Sequence, residues 1–195
     1  MSHRGAPELI EKSPDTLLDR GVEGMIFINT PLGRTLPVPV IAVSDITTAP
    51  DVSSIVIDNS RAAILALKHL LGLGHRKIAF LRGPLGNGDS EGRWKSVRRG
   101  AAQLGVEILP ELTRELGTYP ECNNTTMSNL GYHGASDLLK TSPGFTALLA
   151  FNDGSAIGAI RAFCDAGLNV PKDISVVGFD DIEQASHASR RSTNR

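Results

Sequence analysis

Cysteine is scarce in this chain of 195 residues, which contains only Cys122 and Cys164. The two lie far apart, so the sequence predicts neither a disulfide framework nor the paired spacing of a zinc site. His69 and His75 have no cysteine or carboxylate in register with them, and they do not predict a metal site either. We therefore expect a reduced protein without a bound metal.

The chain also lacks a strong charge of either sign and any long hydrophobic run. Its formal net charge of −1 provides no general attraction to nucleic acid or to an anionic membrane. No apolar run approaches the length of a membrane-spanning helix, and the opening residues MSHRGAPELIEK lack the apolar core of a signal peptide. The composition is that of an ordinary globular protein, which we expect in the cytoplasm.

Motifs of the common enzyme classes are missing as well. The loop GPLGNGDSEG, residues 83–92, follows a predicted strand and precedes a predicted helix, as a phosphate-binding loop would. It lacks the Gly-Lys-Ser/Thr ending of a P-loop, and its glycines miss the spacing of the dinucleotide motif. No serine lies in a Gly-x-Ser-x-Gly elbow. The sequence favours a flexible loop that borders a ligand, in a protein that is not an enzyme and needs no cofactor.

What the chain does contain is a strand–helix–strand unit over residues 146–181. Residues 146–151 form a short apolar run that ends in the turn Asn-Asp-Gly-Ser, and from Ser155 onward apolar residues recur at helical spacing. Gly167 stops the helix, and a second, β-branched run covers residues 174–179. This order predicts two parallel strands joined by a helix.

Two polar pairs follow these strands directly, Asn152-Asp153 and Asp180-Asp181. Open α/β sheets bind ligands at the carboxyl ends of their strands, so we expect both pairs at one edge, in a site suited to hydroxyl groups. The competing interpretation is that Asp153 simply caps the helix and that Asp180-Asp181 begin a solvated loop. For Asp153 we favour the helix cap, whereas for Asn152 and Asp180 the residues alone leave both interpretations open.

Strands and helices alternate along most of the remaining chain. Apolar runs and stretches of helical spacing predict strands at residues 25–28, 40–43, 54–57 and 78–81 and helices at residues 60–71, 93–104 and 131–139. The expected fold class is α/β, with doubly wound parallel sheets. A basic connector after residue 72 marks a domain boundary, which predicts an amino-terminal lobe over residues 1–72, a carboxy-terminal lobe over residues 73–184 and a polar tail over residues 185–195.

Basic residues cluster on the predicted helix at residues 93–104. Lys95 and Arg98 are interpreted as part of a solvated helix face. Arg93 differs, because it opens the helix directly after the glycine-rich loop and therefore stands at the edge of the expected site.

Several strings of residues resemble the effector-binding core of LacI/GalR-type bacterial transcription repressors. They are LGLGHRKIAFLRGP at residues 71–84, AFNDGSAIGA at residues 150–159 and GLNVPKDISVVGFDD at residues 167–181. The first and the last also separate the chain from periplasmic sugar-binding proteins, which share the fold. The resemblance covers most of the chain and implies a periplasmic-binding-protein-like fold of type I, with two lobes.

The resemblance also implies a ligand site in the cleft between the lobes. In the family, residues at the positions of Arg93, Asn152 and Asp180 hydrogen-bond hydroxyl groups of the effector, and an aromatic near the position of Tyr119 lines the pocket. The chemistry agrees, since a guanidinium and a carboxylate each satisfy two neighbouring hydroxyls, as sugars and related polyols present them. A sugar is therefore the expected effector, with a nucleoside or purine as the second choice.

The chain departs from the family pattern in several places. No helix-turn-helix is recognised, and neither the family's first strand and helix nor its closing strands have a counterpart in the sequence. Ser96 stands where the family has glycine, and Arg190 where it has proline. We therefore expect an incomplete version of the two-lobe fold.

These observations predict the sensor core of a LacI/GalR-type regulator. It would be a homodimer that binds a small hydroxylated molecule and thereby controls operator binding, with no membrane partner. Contact with operator DNA would require a helix-turn-helix that is not recognised in this chain. The alternative is a stand-alone or periplasmic-type sugar-binding protein without DNA binding.

Overall fold

The computed structural model describes residues 7–28, 32–43, 49–85, 88–117, 126–141 and 144–188. The chain divides into two compact units, Met1–Asp58 and Asn59–Arg195. No helix within the described ranges is both long enough and apolar enough to cross a membrane.

The first unit combines a helix with a small parallel sheet. Helix α1 covers Pro7–Leu18, and strands β1, β2 and β3 cover Met25–Ile28, Val40–Val43 and Val52–Ile55. The sheet order is β1-β2-β3, and both strand pairs are parallel. The bounds of β1 and β2 match the predicted ones. β3 begins two residues earlier than predicted, because Val52 pairs with Val40 in the register of the sheet.

The two faces of this first sheet differ in burial. Met25 and Val40 are buried in a small core, against which Leu17 of α1 packs. Side chains alternate between the faces of a strand, so the residues next to Met25 and Val40 point to the opposite face. That face is apolar and exposed, and we call it the isoleucine face; it comprises Ile26, Ile28, Ile41 and Ile55.

The second unit alternates strands and helices. Its elements in chain order are α2 at Asn59–Gly72, β4 at Ile78–Arg82, α3 at Gly88–Leu104, a 3₁₀ turn at Pro110–Leu112, β5 at Thr113–Glu115, α4 at Met127–Thr141, β6 at Ala147–Leu149, α5 at Asp153–Asp165, β7 at Ser175–Val177 and α6 at Glu183–Ala188. The sheet order is β5-β4-β6-β7, and every strand pair is parallel. Parallel neighbours need a crossover, which the intervening helices supply.

Helices cover both faces of this second sheet. Ile78 and Phe80 of β4 lie in a core with α2 and α3, whereas Ala79 and Leu81 point to the opposite face and lie in a core with α4 and α5. All four residues are at most 2% exposed. The sheet is therefore doubly wound, which confirms the predicted α/β fold class.

The division between the units lies earlier than the sequence indicates. The sequence places the boundary between residues 72 and 73, whereas the compact units separate after Asp58. α2 belongs to the second unit because its buried residues Ala63, Leu67 and Leu70 share a core with β4. Local composition marks the connector after α2, but it carries no information about which core the helix joins.

Glycines allow α4 and α5 to lie in close contact. A β-carbon at Gly131 of α4 would overlap the carbonyl oxygen of Ser155, and one at Gly158 of α5 would overlap the carbonyl oxygen of Ser128. Two helix backbones approach this closely only where side chains are absent. The contact fixes α5, the helix that begins at the candidate site, against α4.

Asn169 and Asp173 fasten the turn between α5 and β7. The backbone N–H and the side-chain amide of Asn169 donate to Oδ2 of Asp173 over 2.7 and 2.8 Å. These hydrogen bonds, the backbone one foremost, hold the pKa of Asp173 below its ordinary value, and Lys172 acts in the same direction. The ionised carboxylate therefore favours the turn that leads into β7.

Candidate functional site

Three of the expected site residues lie at the carboxyl edge of the second sheet. Asn152 follows β6 and caps α5, Asp180 follows β7, and Arg93 lies in α3, the helix after β4. β4, β6 and β7 are parallel neighbours, so their carboxyl ends meet at one edge. The topology thus brings Arg93 into contact with Asp180, 87 positions further along the chain.

Arg93 is buried, with only 6% of its surface exposed. Its Nη1 donates to the carbonyl oxygen of Phe151 over 2.7 Å, and its Nη2 donates to Oδ1 of Asp180 over 3.3 Å. The guanidinium carbon lies 4.9 Å from the ring centre of Phe151 and 4.7 Å from that of Phe179. A buried charge needs compensation, and a carbonyl, a carboxylate and two ring faces provide it for this guanidinium.

α3 begins earlier than the sequence predicts. The expected start was Arg93, but the helix starts at Gly88, so Arg93 lies in its second turn. Asp89 and Glu91 occupy the first turn, where carboxylates interact favourably with the helix dipole. Part of the predicted flexible loop is therefore helical, and Arg93 projects from a regular element.

Asp180 sits in a turn with strained backbone. Its φ is +99° and that of Asp181 is +53°, a region that residues with a side chain rarely adopt. Such strain persists only where surrounding structure holds it, and residues of this kind concentrate at functional sites. The side chain of Asp180 is 37% exposed, so the turn presents a carboxylate that solvent and ligands can reach.

Asp153 holds this turn in place. Its backbone N–H donates to the carbonyl oxygen of Phe179 over 2.8 Å, and its Oδ2 accepts from the backbone N–H of Ile182 over 2.9 Å. The two hydrogen bonds lie on either side of Asp180, and they connect the start of α5 to the loop after β7.

The cap of α5 is Asn152, so the prediction that Asp153 caps this helix is wrong. Oδ1 of Asn152 accepts from the backbone N–H of Ser155 over 2.9 Å, and Ser155 Oγ accepts from the backbone N–H of Asn152 over 3.0 Å. This is a reciprocal capping box. Asn152 has the extended backbone of a cap residue, with φ of −153°, whereas Asp153 is already the first helical residue.

Capping leaves part of Asn152 available. Its Oδ1 is engaged by Ser155, but its Nδ2 still carries two protons that can be donated. The cap role that the structure gives to Asn152 is compatible with the ligand contact that the family resemblance implies. That contact stays a prediction.

The aromatic residues of the site differ from the expected one. Tyr119 lies outside the described residues. Phe151 and Phe179, which the sequence analysis missed, flank the guanidinium of Arg93. Each of them directly precedes a polar site residue, Asn152 or Asp180, and this repeated aromatic–polar step at two strand ends is a signal that could have identified them.

A second arginine beside the site was also missed. Arg82, the last residue of β4, places its Nη2 2.7 Å from Oε1 of Glu91 and its Nη1 3.3 Å from Oε2 of Glu115. Its guanidinium carbon lies 5.8 Å from the ring centre of Trp94. Both arginines of the site thus have carboxylate partners, so the site does not present an excess of positive charge.

The arrangement combines complementary hydrogen-bonding groups. Arg93 and Asn152 can donate to a ligand, and Asp180 can accept from one. Within the described ranges, no group of three or more His, Cys, Asp and Glu side chains could hold a metal ion. A molecule with adjacent hydroxyl groups matches this set, because each hydroxyl both donates and accepts.

Comparison with known proteins points to one family. Residues 67–194 match the sequence profile of the family described as periplasmic binding protein-like domain. The HTH-type transcriptional repressor PurR of Haemophilus influenzae is 29% identical over 200 residues, a match that covers 97% of this chain and 55% of the relative. This chain spans about half the length of the curated relatives it matches.

Solved structures agree with the sequence relatives. The lac repressor dimer bound to operator and the anti-inducer ONPF superimposes with a TM-score of 0.76 and 28% identity, over 94% of this chain and 63% of the repressor chain. The complex of the transcriptional regulator CelR with cellobiose superimposes with a TM-score of 0.73 and 26% identity, over 90% of this chain and 54% of the other. The resemblance found in the sequence is confirmed: the chain belongs to the periplasmic binding protein-like domain family, and within it to the effector-binding domains of LacI-type transcription regulators.

Proposed function

We propose that this chain is the effector-sensing core of a DNA-binding transcription regulator of LacI/GalR type, and that its effector is a small hydroxylated molecule, in the first place a sugar. The observation that carries this proposal is the pairing of Arg93 with Asp180 at the carboxyl edge of the second sheet. A guanidinium that donates beside a carboxylate that accepts can bind two adjacent hydroxyl groups.

The pair has hydrogen-bonding capacity left for a ligand. The 3.3 Å between Arg93 Nη2 and Asp180 Oδ1 exceeds the separation of about 2.7–2.9 Å that is typical of a strong charge-assisted hydrogen bond. Nη2 carries a second proton, and the carboxylate has a second oxygen. A ligand hydroxyl can accept from the first and donate to the second. Asn152 Nδ2 supplies a further donor, and we expect Tyr119 to add an aromatic wall.

The site is also organised before a ligand arrives. The rings of Phe151 and Phe179 both contact the guanidinium of Arg93, and the carbonyl of Phe151 fixes its Nη1. Binding therefore requires little further ordering of this side chain, which favours affinity.

The solved relatives support both the ligand class and the regulatory role. The CelR structure contains cellobiose, and the lac repressor structure contains an operator and the anti-inducer ONPF. By analogy, ligand binding to this protein would change operator affinity, which requires the ligand to bind one of two conformations more tightly. The regulator would act as a homodimer in the cytoplasm and contact its operator through a helix-turn-helix outside the matched domain.

A thermal melt of the purified chain with a ligand panel tests the proposal. The panel contains D-galactose, cellobiose, ribitol and adenosine. A ligand at about 100 times its dissociation constant adds roughly 2.7 kcal/mol to the free energy of unfolding, which raises the melting temperature of a protein of this size by about 5–10 °C. A rise with a sugar or ribitol supports the proposed ligand class. A rise with adenosine alone would replace it by the nucleoside class.

The site assignment is tested with Arg93→Lys and Asp180→Asn. Each removes charge-assisted hydrogen bonds to the ligand and should weaken binding by about 10- to 100-fold. Arg98→Lys, on the exposed side of α3, and Asp165→Asn, at the exposed end of α5, are the matched controls and should leave the dissociation constant unchanged. A ligand affinity that survives Arg93→Ala and Asp180→Ala would show that the ligand binds elsewhere.

Control of an operator is tested separately, with the full gene product and its own promoter DNA in an electrophoretic mobility assay. A panel sugar that shifts the melt should also change the promoter affinity. Sugar binding without promoter binding would favour the alternative function, a sugar-binding protein that is not coupled to DNA.

A further inference from the structure

Beside Arg93, residues at the carboxyl ends of β4 and β6 and in helix α3 line a small cavity that is partly open to solvent. Most of its wall is apolar and includes Phe80, Val97, Leu149 and the rings of Phe151 and Phe179. Its size is on the order of a single water molecule. The cavity shares Arg93 and the two phenylalanines with the candidate site, and Phe80, Val97 and Leu149 of its wall belong to the core that the sheet forms with α2 and α3.

Three residues that line this cavity carry a buried hydrogen-bonding atom without a partner in the described part of the chain. Ser90 Oγ, Arg93 Nε and Arg82 Nε are buried, and none has a hydrogen-bond partner among the residues that the structure describes. All three residues line the cavity, and Ser90 and Arg93 are only 4% and 6% exposed. Native proteins pair nearly all buried polar groups. Three such atoms around one space therefore point to a common partner inside it.

Local structure explains why these atoms meet. Ser90 and Arg93 are three residues apart on α3, so their side chains lie on the same face of the helix. Arg82 reaches the cavity from β4 with both its Nη atoms engaged by Glu91 and Glu115. Gly83 lines the cavity as well, and a β-carbon there would lie 2.6 Å from a ring carbon of Phe151. Glycine at this position therefore keeps the space open.

We propose that this cavity is a binding subsite for one neutral oxygen atom, held by the Nε–H groups of Arg93 and Arg82 and by the hydroxyl of Ser90. Both Nε–H groups can only donate, so the occupant must accept. The oxygen of a water molecule or of an alcohol has two lone pairs for these donors and a proton for Ser90 Oγ. Water and a ligand hydroxyl are the two sources of such an oxygen.

Other occupants do not fit. A cation would be repelled by the two positively charged guanidinium groups. A phosphate or a carboxylate group exceeds the size of the cavity and would place charge against apolar walls, while both guanidinium groups already have partners in Asp180, Glu91 and Glu115. An apolar group would leave all three polar atoms unpaired.

The subsite makes Ser90 a positioning residue for Arg93. With an oxygen on Nε and the Phe151 carbonyl on Nη1, the guanidinium plane is fixed from two sides and Nη2 stays directed at Asp180. The effect of Ser90 on ligand affinity rests on the proposed function. The presence of an oxygen in the cavity does not depend on it.

NMR of the arginine Nε–H groups in the 195-residue chain tests the subsite directly. The Arg93 signal is assigned by its loss in Arg93→Lys. We expect slow hydrogen exchange of this group and a direct dipolar cross peak to an oxygen-bound proton, whereas the exposed Arg98 should show fast exchange and no such peak. An Arg93 group that exchanges as fast as Arg98 and lacks the cross peak would overturn the proposal.

Two variants of Ser90 separate the subsite from a general effect on folding. Ser90→Ala keeps the space and removes one partner, so the cross peak should persist while exchange at Arg93 accelerates by about tenfold, the equivalent of one hydrogen bond. Ser90→Val fills the cavity with methyl groups and should abolish the cross peak. If Ser90→Val does not fold, the Arg93 cross peak and its hydrogen exchange in the wild-type protein and in Ser90→Ala still test the subsite. A cross peak that survives Ser90→Val in a folded protein would contradict the assignment.

Added ligands identify the source of the oxygen. With cellobiose, a cross peak that remains at the water frequency assigns the oxygen to a resident water, and one that moves to a sugar hydroxyl assigns it to the ligand; both support the subsite. Inorganic phosphate at millimolar concentration should leave the Arg82 and Arg93 signals unchanged, and a saturable shift would overturn the neutral character of the occupant. A water signal in a wild-type protein whose melting temperature no panel member raises would count against the proposed function and leave the subsite standing.

Discussion

The two sheets of this protein have the same parallel construction but differ in what covers them. In the second unit, β4 lies between two pairs of helices, and its residues Ile78 and Phe80 are 1% exposed. In the first unit, α1 covers one face and the isoleucine face is open, with Ile26 67% and Ile28 63% exposed. Parallel sheets are normally covered on both faces, so the first sheet is the unusual one.

The comparison shows what an apolar run can and cannot predict. MIFI at residues 25–28 and IAFL at residues 78–81 are alike in sequence, and both form strands of a parallel sheet. The apolar run indicates that the strand favours burial on both faces of its sheet. It does not indicate whether a helix covers each of those faces. An exposed apolar sheet face favours association with other apolar surfaces, and we expect the isoleucine face to limit the solubility of the isolated chain.

The largest effect is expected from the core that covers the second sheet. Phe163 of α5 is 0% exposed, and its ring centre lies 6.0 Å from that of Phe145. Phe163→Ala should lower the free energy of unfolding by about 3–5 kcal/mol, because it removes buried apolar surface and leaves a cavity. Ile28→Ala is the matched truncation on the open face and should change it by less than about 0.5 kcal/mol. Equal losses in denaturant titrations would show that the two sheets are covered equally.

A smaller loss is expected where the covering helices touch. Gly158→Ala places a methyl group against the carbonyl oxygen of Ser128, and the resulting shift of α5 should lower the free energy of unfolding by about 1–3 kcal/mol. Gly72→Ala, at the end of α2, has nothing within 4 Å of the new methyl group and should be neutral or stabilise by up to about 1 kcal/mol. If circular-dichroism melts give the two variants the same melting temperature, the close contact of α4 with α5 does not contribute to stability.

The smallest change in stability is expected on the isoleucine face. The double variant Ile26→Thr and Ile28→Thr keeps β-branched side chains and should alter the free energy of unfolding by less than about 0.5 kcal/mol, while light scattering of the concentrated protein decreases. Ile78→Thr, the same substitution in the covered sheet, should destabilise strongly because it buries a hydroxyl in an apolar core. A double variant that destabilises as strongly as Ile78→Thr would mean that the face is covered in solution.

The sequence predicted β1, β2 and β4 better than the start of α3 and the cap of α5. β1 and β2 have their predicted bounds and β4 extends one residue further, because strands of a parallel sheet read as continuous apolar runs. The start of α3 was missed by five residues, since Gly88 and Gly92 lower local helix propensity while the tertiary structure still supports the helix. The cap of α5 was missed by one residue, because Asn152 and Asp153 are both good cap residues and only the backbone angles distinguish them.

The site residues, too, were predicted only in part from the sequence. The residues after two strand ends, together with the family resemblance, were sufficient to predict that Arg93 and Asp180 lie together, and the structure places their side chains 3.3 Å apart. Phe151 and Phe179 were missed although each directly precedes a polar site residue, because an aromatic residue at a strand end can equally well pack in the core or line a site. Ser90 belongs to no motif, and the string that contains Arg82 assigns it no role; only the structure shows that both residues line one cavity.

The sequence by itself determined the α/β alternation, the parallel order of β6 and β7, the family and the residue types at the carboxyl edge of the sheet. These features depend on local periodicity, on turn residues and on motifs that each occupy one stretch of chain. The tertiary structure alone decided which core α2 joins, which residue caps α5 and which acceptors surround the guanidinium of Arg93. Burial, register and the pairing of polar groups are set by residues distant in the chain, so they exist only once the packed structure brings those residues together.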